Sequence, residues 1–315
     1  MWKAILRENF TRIDPLCTFL NLDDSQRKQL IPDSPFVLNL PRRLAHKIQK
    51  GTLDDPILRQ FVPFIYENEK KEGFTCNPVG DNESKQSTRL LKKYKNRALL
   101  MPTSACAVHC RYCFRRHFDY GESDLKDELK QIAEDLEINE IILSGGDPLS
   151  LSDERLRALL KQLEMPHIKR IRFHTRFPVG IPERIDNSFL SLLEEIPKQV
   201  WFIVHINHPH ELDPILFERL KEISRLGIPV LNQTVLLKGV NDSVETLQKL
   251  FEELVDHGVQ PYYLHQLDRV EGAAHFEAEG SEIMRELAKR LSGYALPRYV
   301  KEEAGYPHKS MIRYS

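Results

Sequence analysis

The stretch that decides the fold is Cys106-Ala107-Val108-His109-Cys110-Arg111-Tyr112-Cys113-Phe114-Arg115-Arg116. Its three cysteines stand in a C-x-x-x-C-x-x-C pattern. A [4Fe–4S] cluster has four irons, and each normally takes one thiolate. Three thiolates this close leave one iron open to a small molecule, which can then receive an electron from the cluster. The competing readings are a zinc knuckle or three incidental buried thiols. A closed zinc site wants four ligands, usually as two separated pairs, and no second pair exists in the sequence.

Working outward, a rhythm begins near residue 98. Short apolar runs recur about every 30 residues, the length of a βα unit: 98–101, 140–144, 170–174, 200–205, 230–235 and 262–265. Helical patterns lie between and after them, around 124–137, 153–163, 188–195, 212–226, 243–257 and 281–291. Asp124, Asp153 and Asp213 read as caps or first-turn acids. Gly227-Ile228-Pro229 reads as a helix stop and strand start. Six strands alternating with six helices imply an α/β fold with a parallel sheet. A doubly wound sheet fits that alternation too. Polar residues collect where the strands end: Gly145-Gly146-Asp147, His174-Thr175-Arg176, His205-Ile206-Asn207-His208 and Asp268. In βα barrels that rim builds the active site. Six strands do not close an eight-stranded barrel, so the pattern predicts a partial (β/α)6 barrel over residues 95–292. Residues 1–94, with prolines at 15, 32, 35, 41, 56 and 63, read as a helical N-terminal extension without chemistry of its own. Residues 81–87 read as a loop, Pro41 as a first helical position, and 293–315 as a short C-terminal segment.

The chain has 315 residues, 41% hydrophobic and 29% charged, with a net charge of −1. That balance excludes bulk electrostatic binding to nucleic acid. Five cysteines are too few for a disulfide framework at this length, so Cys17 and Cys76 read as free thiols. The first residues lack an apolar signal-peptide core, and no apolar run reaches the roughly 18 residues of a membrane helix. These features predict no membrane contact and a cytoplasmic protein whose thiols stay available to iron.

Cluster loop and barrel rim together resemble the radical S-adenosylmethionine (radical SAM) superfamily. The resemblance implies Cys106, Cys110 and Cys113 as cluster ligands. S-adenosylmethionine would sit on the open iron, near Gly145, Gly146 and Asp147; His205 and Gln233 match further contacts to it. Glycines there let backbone approach a ligand closely. Within the superfamily, 111–116, 143–149, 208–211, 232–242 and 261–264 resemble lysine 2,3-aminomutases. The match is nearest to the short bacterial branch that acts with translation elongation factor P. That branch uses pyridoxal 5′-phosphate (PLP) as a second cofactor. The resemblance implies Lys309 as the PLP lysine and Tyr94, Arg97 and Arg176 as phosphate-binding candidates, since a guanidinium donates several hydrogen bonds and stays charged.

For the substrate, the resemblance implies Arg115 as the carboxylate clamp and Asp268 as a partner for the ε-ammonium of lysine. The family's second acid, sought a few residues before Lys309, is not found in Gly305-Tyr306-Pro307-His308. The implied reaction moves the amino group of L-α-lysine from carbon 2 to carbon 3. The adenosyl radical starts it by removing a β-hydrogen from PLP-bound lysine. The implied partners are elongation factor P, its lysyl ligase and an electron donor such as flavodoxin or ferredoxin; an oligomer is compatible with the sequence. Three alternatives stand: a 2,3-aminomutase for glutamate or another amino acid, a radical enzyme without PLP, and a zinc-binding non-enzymatic module.

Overall fold

A computed structural model describes residues 1–314. Ten strands form one sheet in chain order. A hairpin, β1 (Lys85–Ser87) and β2 (Leu90–Tyr94), begins it. The parallel part follows: β3 (Arg97–Leu100), β4 (Glu140–Leu143), β5 (Arg170–Thr175), β6 (Gln199–His205), β7 (Val230–Val235), β8 (Gln260–His265) and β9 (Arg298–Lys301). β2 pairs antiparallel with β3, and β10 (Ser310–Met311) antiparallel with β9. β1 and β10 do not meet, so the barrel is open.

Six of these strands are the predicted ones. The others correct the sequence reading. Residues 85–94 are a hairpin rather than loop and helical extension, and β9 adds a seventh parallel strand from the C-terminal segment. Both were hidden by composition. Leu90-Leu91-Lys92-Lys93-Tyr94 carries two lysines, and β9 buries only Tyr299 and Val300 between exposed Arg298 and Lys301. Neither shows the apolar run that signals a parallel strand.

Alternation along β5 shows how the barrel is filled. Ile171, Phe173 and Thr175 are buried, while Arg170, Arg172 and His174 on the other face are only half-buried. The first set packs outward against helices, and the second lines a polar lumen. Crossover helices Lys126–Glu134, Asp153–Gln162, Asn187–Glu194, Pro214–Arg225, Val244–Asp256 and Ser281–Arg290 cover the outside. Asp213 caps its helix through the Leu216 amide, and Ser152 caps the helix that Asp153 opens. Asp124 is not a cap: Leu125 takes that place in a left-handed conformation, φ +66°. At Gly227, φ +75° ends a helix.

The N-terminal extension holds five short helices, Trp2–Arg7, Ile13–Phe19, Asp24–Arg27, Arg42–Lys47 and Pro56–Phe61. Pro41 stands one position before its helix, as the cap. The extension is no separate body, because its apolar residues join the barrel's own core. Trp2 meets Phe177 edge-on at 5.4 Å. Leu44 is fully buried against the Gly180 backbone. Cys17 is buried, Cys76 exposed, and both are free. Among the described residues no helix is long and apolar enough to cross a membrane.

Because Leu44 sits at that seam, Leu44→Ala is expected to cost about 2–5 kcal/mol. Urea unfolding checks this, and limited proteolysis should cut first within residues 1–60.

Candidate active site

β3 runs directly into the cysteine loop. Cys106, Cys110 and Cys113 are free and half-buried. Burial pushes all three thiols up, and the neighbouring Cys110 adds to the rise at Cys113, which reaches about 11. Three thiolates cannot share this pocket without cations to neutralise them. Among the described residues no three His, Cys, Asp or Glu side chains converge closely enough for a single metal ion. The donor set, three soft thiols without a fourth ligand, suits a cluster with one iron left over rather than closed tetrahedral zinc.

The N-terminal extension cradles this loop. Asn39 Nδ2 donates to the Cys106 carbonyl at 3.0 Å. Asn9 Nδ2 donates to the Ala107 carbonyl at 2.8 Å and to Asn39 Oδ1 at 2.7 Å. The amides of His109 and Arg111 donate to the carbonyls of Asn39 and Gln60, at 3.0 and 2.8 Å. Sequence reading missed these partners, since nothing in residues 9, 39 or 60 marks them.

The glycine loop after β4 packs on the start of the cysteine loop. A Cβ on Gly146 would lie 2.6–2.7 Å from the backbone of residues 103–105, and Gly145 has φ +98° with Met101 against it. The Asp147 amide donates to the Ala105 carbonyl at 2.8 Å. Gly146 thus serves a backbone-to-backbone approach within the chain, and Gly145 a left-handed turn against the Met101 side chain. Asp147, expected at the adenosyl cofactor, is engaged as an internal tie. Its buried carboxylate accepts from Thr175 Oγ1 (2.7 Å) and the amides of Arg176 (2.8 Å), Phe177 (2.9 Å) and Leu149 (3.0 Å).

Arg176 is buried as well. The guanidinium of this phosphate candidate pairs with Glu211, Tyr112 and, at 2.8 Å, Gln60 Oε1, while its Nε is buried without a partner. Tyr112 Oη accepts from Asn207 at 2.7 Å. This network holds the middle of the cysteine loop.

The remaining candidates line the lumen, not the rim alone. Arg97 begins β3, level with Glu140, Arg170 and Gln199. Its guanidinium stacks 4.3 Å from the centre of the Tyr94 ring, and no carboxylate pairs with it among the described residues. Arg115 is buried, and its Nε donates to Asp81 at 2.6 Å. Asp81 also takes Lys93 Nζ at 2.6 Å. These bonds hold Arg115 upright while its two terminal nitrogens keep no protein partner among the described residues.

Lys309, just before β10, reaches Glu302, which also accepts from Tyr94 Oη. Lys93 Nζ lies 3.7 Å from the same carboxylate. Lys309 is also close enough to shift Asp268, His174 and His265 electrostatically. So a carboxylate does stand before Lys309, seven residues back rather than in Gly305–His308. Burial pushes Asp268 up to about 7, with Lys309 opposing and Glu302 adding to the shift.

His174 Nδ1 lies 3.2 Å from His205 Nε2, and Gln233 is paired in register with His205. Burial holds His174, His205 and His265 well below the usual imidazole range, so they are neutral at physiological pH. The Nε2 atoms of His174 and His265 are buried without a partner.

Comparison with known proteins agrees with this geometry. The Radical SAM superfamily model matches residues 100–252. Over 67% of this chain, and 68% of the other, the fold resembles a radical SAM methyltransferase from Sphaerobacter thermophilus, at a TM-score of 0.50 and 20% identity. Fold and site therefore define a radical SAM protein, with the [4Fe–4S] cluster and S-adenosylmethionine that this class uses.

Sequence relatives narrow the class. The chain is 42% identical to the L-lysine 2,3-aminomutase of Escherichia coli K12, over 99% of this chain and 94% of that one. It is 40% identical to the L-lysine 2,3-aminomutase of Haemophilus influenzae, over 98% and 95%. The chain belongs to the L-lysine 2,3-aminomutase family, which makes it an isomerase and sets aside the zinc-module alternative.

Asp147→Ala would strip the acceptor from three amides and a hydroxyl. Stability of the metal-free protein should fall by at least about 3 kcal/mol, read from its urea midpoint.

Proposed function

We propose that this chain converts L-α-lysine into β-lysine by 2,3-amino migration, using PLP held through Lys309. One observation carries the reading. Lys309 pairs with Glu302, which also accepts from Tyr94, and lies close enough to Asp268 to act on it electrostatically. When bound, S-adenosylmethionine supplies a hydrogen-abstracting carbon radical, and PLP supplies the carbonyl that carries the migrating nitrogen.

The chain's own residues bind and orient. Lys309 Nζ holds PLP. Arg97, stacked on Tyr94 and without a carboxylate partner, is placed for its phosphate. Arg115, steadied by Asp81, offers its terminal nitrogens to the substrate carboxylate, a bidentate arrangement. Asp268 and Glu302 would face the ε-ammonium. His205 and Gln233 line the wall where the adenosyl group would lie. The half-closed barrel excludes water from a radical that attacks whatever it touches.

Two lumen carboxylates favour a cationic side chain and disfavour glutamate. By the resemblance, the product passes to a lysine of elongation factor P through a partner ligase. The cluster receives its electron from a flavodoxin- or ferredoxin-type donor, and the reaction belongs to the cytoplasm.

Anaerobic turnover with S-adenosylmethionine, PLP and a reductant tests the whole reading: lysine should give β-lysine. Turnover of glutamate alone would overturn the substrate assignment. Borohydride reduction and peptide mapping should label Lys309.

Cofactor separation is expected in two variants. Cys110→Ser should lose iron–sulfur absorbance and activity but keep PLP. Lys309→Ala should lose PLP and keep iron. Retained activity in Cys110→Ser would contradict the cluster assignment.

Asp268 adds a pH dependence. A carboxyl titrating near 7 is increasingly protonated as pH falls below that value, and only its ionised form neutralises an ammonium. The KM for lysine should therefore rise on the acid side of about pH 7. Asp268→Asn should raise KM at every pH and flatten that slope, with both cofactors retained. Steady-state kinetics from pH 6 to 9 checks it.

A further inference from the structure

The cysteine loop meets one buried anion of the N-terminal extension. Glu67 belongs to the short turn Ile65–Asn68 and is buried. Its Oε1 accepts from Arg111 Nε at 2.7 Å. Its Oε2 accepts from Arg111 Nη2 and Arg116 Nη2, both at 2.6 Å. Arg116 Nη1 also donates to the Arg111 carbonyl at 3.0 Å. Both guanidinia face the Phe36 ring, 4.9 and 5.1 Å from its centre. Arg111 is fully buried, and Ser34 Oγ and the Phe36 carbonyl take its remaining donors. Two cations thus share one anion in a dry pocket and leave a net positive charge. That charge is near the cluster ligands: Arg111 interacts electrostatically with Cys110, and Arg116 with Cys113.

We propose that Glu67 sets the reduction potential of the [4Fe–4S] cluster by cancelling part of the Arg111 and Arg116 charge. The proposal rests on the assignment of the cluster to Cys106, Cys110 and Cys113. Reduction moves one electron from an external low-potential donor into the [4Fe–4S]2+ core, giving [4Fe–4S]+, with no bond made or broken. The added negative charge is stabilised by nearby cations, strongly so where water is excluded. Uncompensated, the two arginines would make the cluster easy to reduce and a weak electron donor. Glu67 opposes them and keeps the reduced cluster able to pass its electron on. A spacer role would need hydrogen-bond acceptors only; this role needs the charge.

The experiment uses full-length protein reconstituted anaerobically with iron and sulfide, without S-adenosylmethionine or PLP. Iron and sulfide are assayed, and the midpoint is read by an EPR-monitored titration with dithionite and redox mediators. Glu67→Gln should move the midpoint to a more positive potential. Arg116→Gln should move it to a more negative one, each variant keeping its full complement of iron. If Glu67→Gln does not fold, Arg116→Gln decides alone. Unmoved midpoints, or shifts of the same sign in both variants, overturn the proposal. So do variants that cannot hold a full cluster where the unaltered protein does, since that marks a structural role. Unaltered protein without iron or sulfide breaks the cluster assignment itself, a different and distinguishable result.

Discussion

Much of the site depends on a single carboxylate, Asp147. It accepts from the amides of Leu149, Arg176 and Phe177 and from the Thr175 hydroxyl. In doing so it fixes the loop after β4 to the end of β5. The same loop presses Gly146 onto residues 103–105, where the chain leaves β3 for the cysteines. A buried carboxylate is costly unless its lone pairs are filled. Here they are filled by backbone whose position the fold needs, so the cost of burial becomes a constraint on geometry. Arg176 is placed by its own amide on Asp147 and then reaches Glu211 and Tyr112 under the loop. The cysteine loop therefore rests on a chain of buried polar contacts, which holds direction better than apolar packing alone.

Charge around the site is handled as linked pairs. Around the cysteines, Arg111, Arg115, Arg116 and Arg176 meet Glu67, Asp81 and Glu211, with the Asp147 carboxylate close to Cys106. Asp81 links this set to Lys93, which together with Lys309 meets Glu302, and Lys309 also acts on Asp268 and on the neutral imidazole of His174.

The parallel strands and their crossover helices were legible because each carries a long periodic signal, and the family was legible because its motifs are contiguous. What escaped reading was set by distance in the sequence. Asn9, Asn39, Gln60 and Glu67 serve residues 106–116 across some 40–100 positions, and an isolated Asn or Glu announces no partner. Asp147 and Arg176 show what residue type alone does not reveal. Their residue types suit ligand binding, but a buried polar side chain satisfies its nearest neighbours first. Glu302 was overlooked because the motif was sought one turn too close to Lys309. β9 and the 85–94 hairpin were hidden because edge strands are short and charged.

The cysteines and Lys309 are walled by different parts of the chain. Asn9, Asn39 and residues 34–67 cover the loop, while β9 and β10 carry the lysine. β10 is two residues long and lies at the free edge of the sheet. Its two residues pair with Lys301 and Val300. The segment that carries Lys309 is thus tied to the barrel by a short edge pairing, whereas the cysteine loop is tied by side chains and amides drawn from the length of the N-terminal extension.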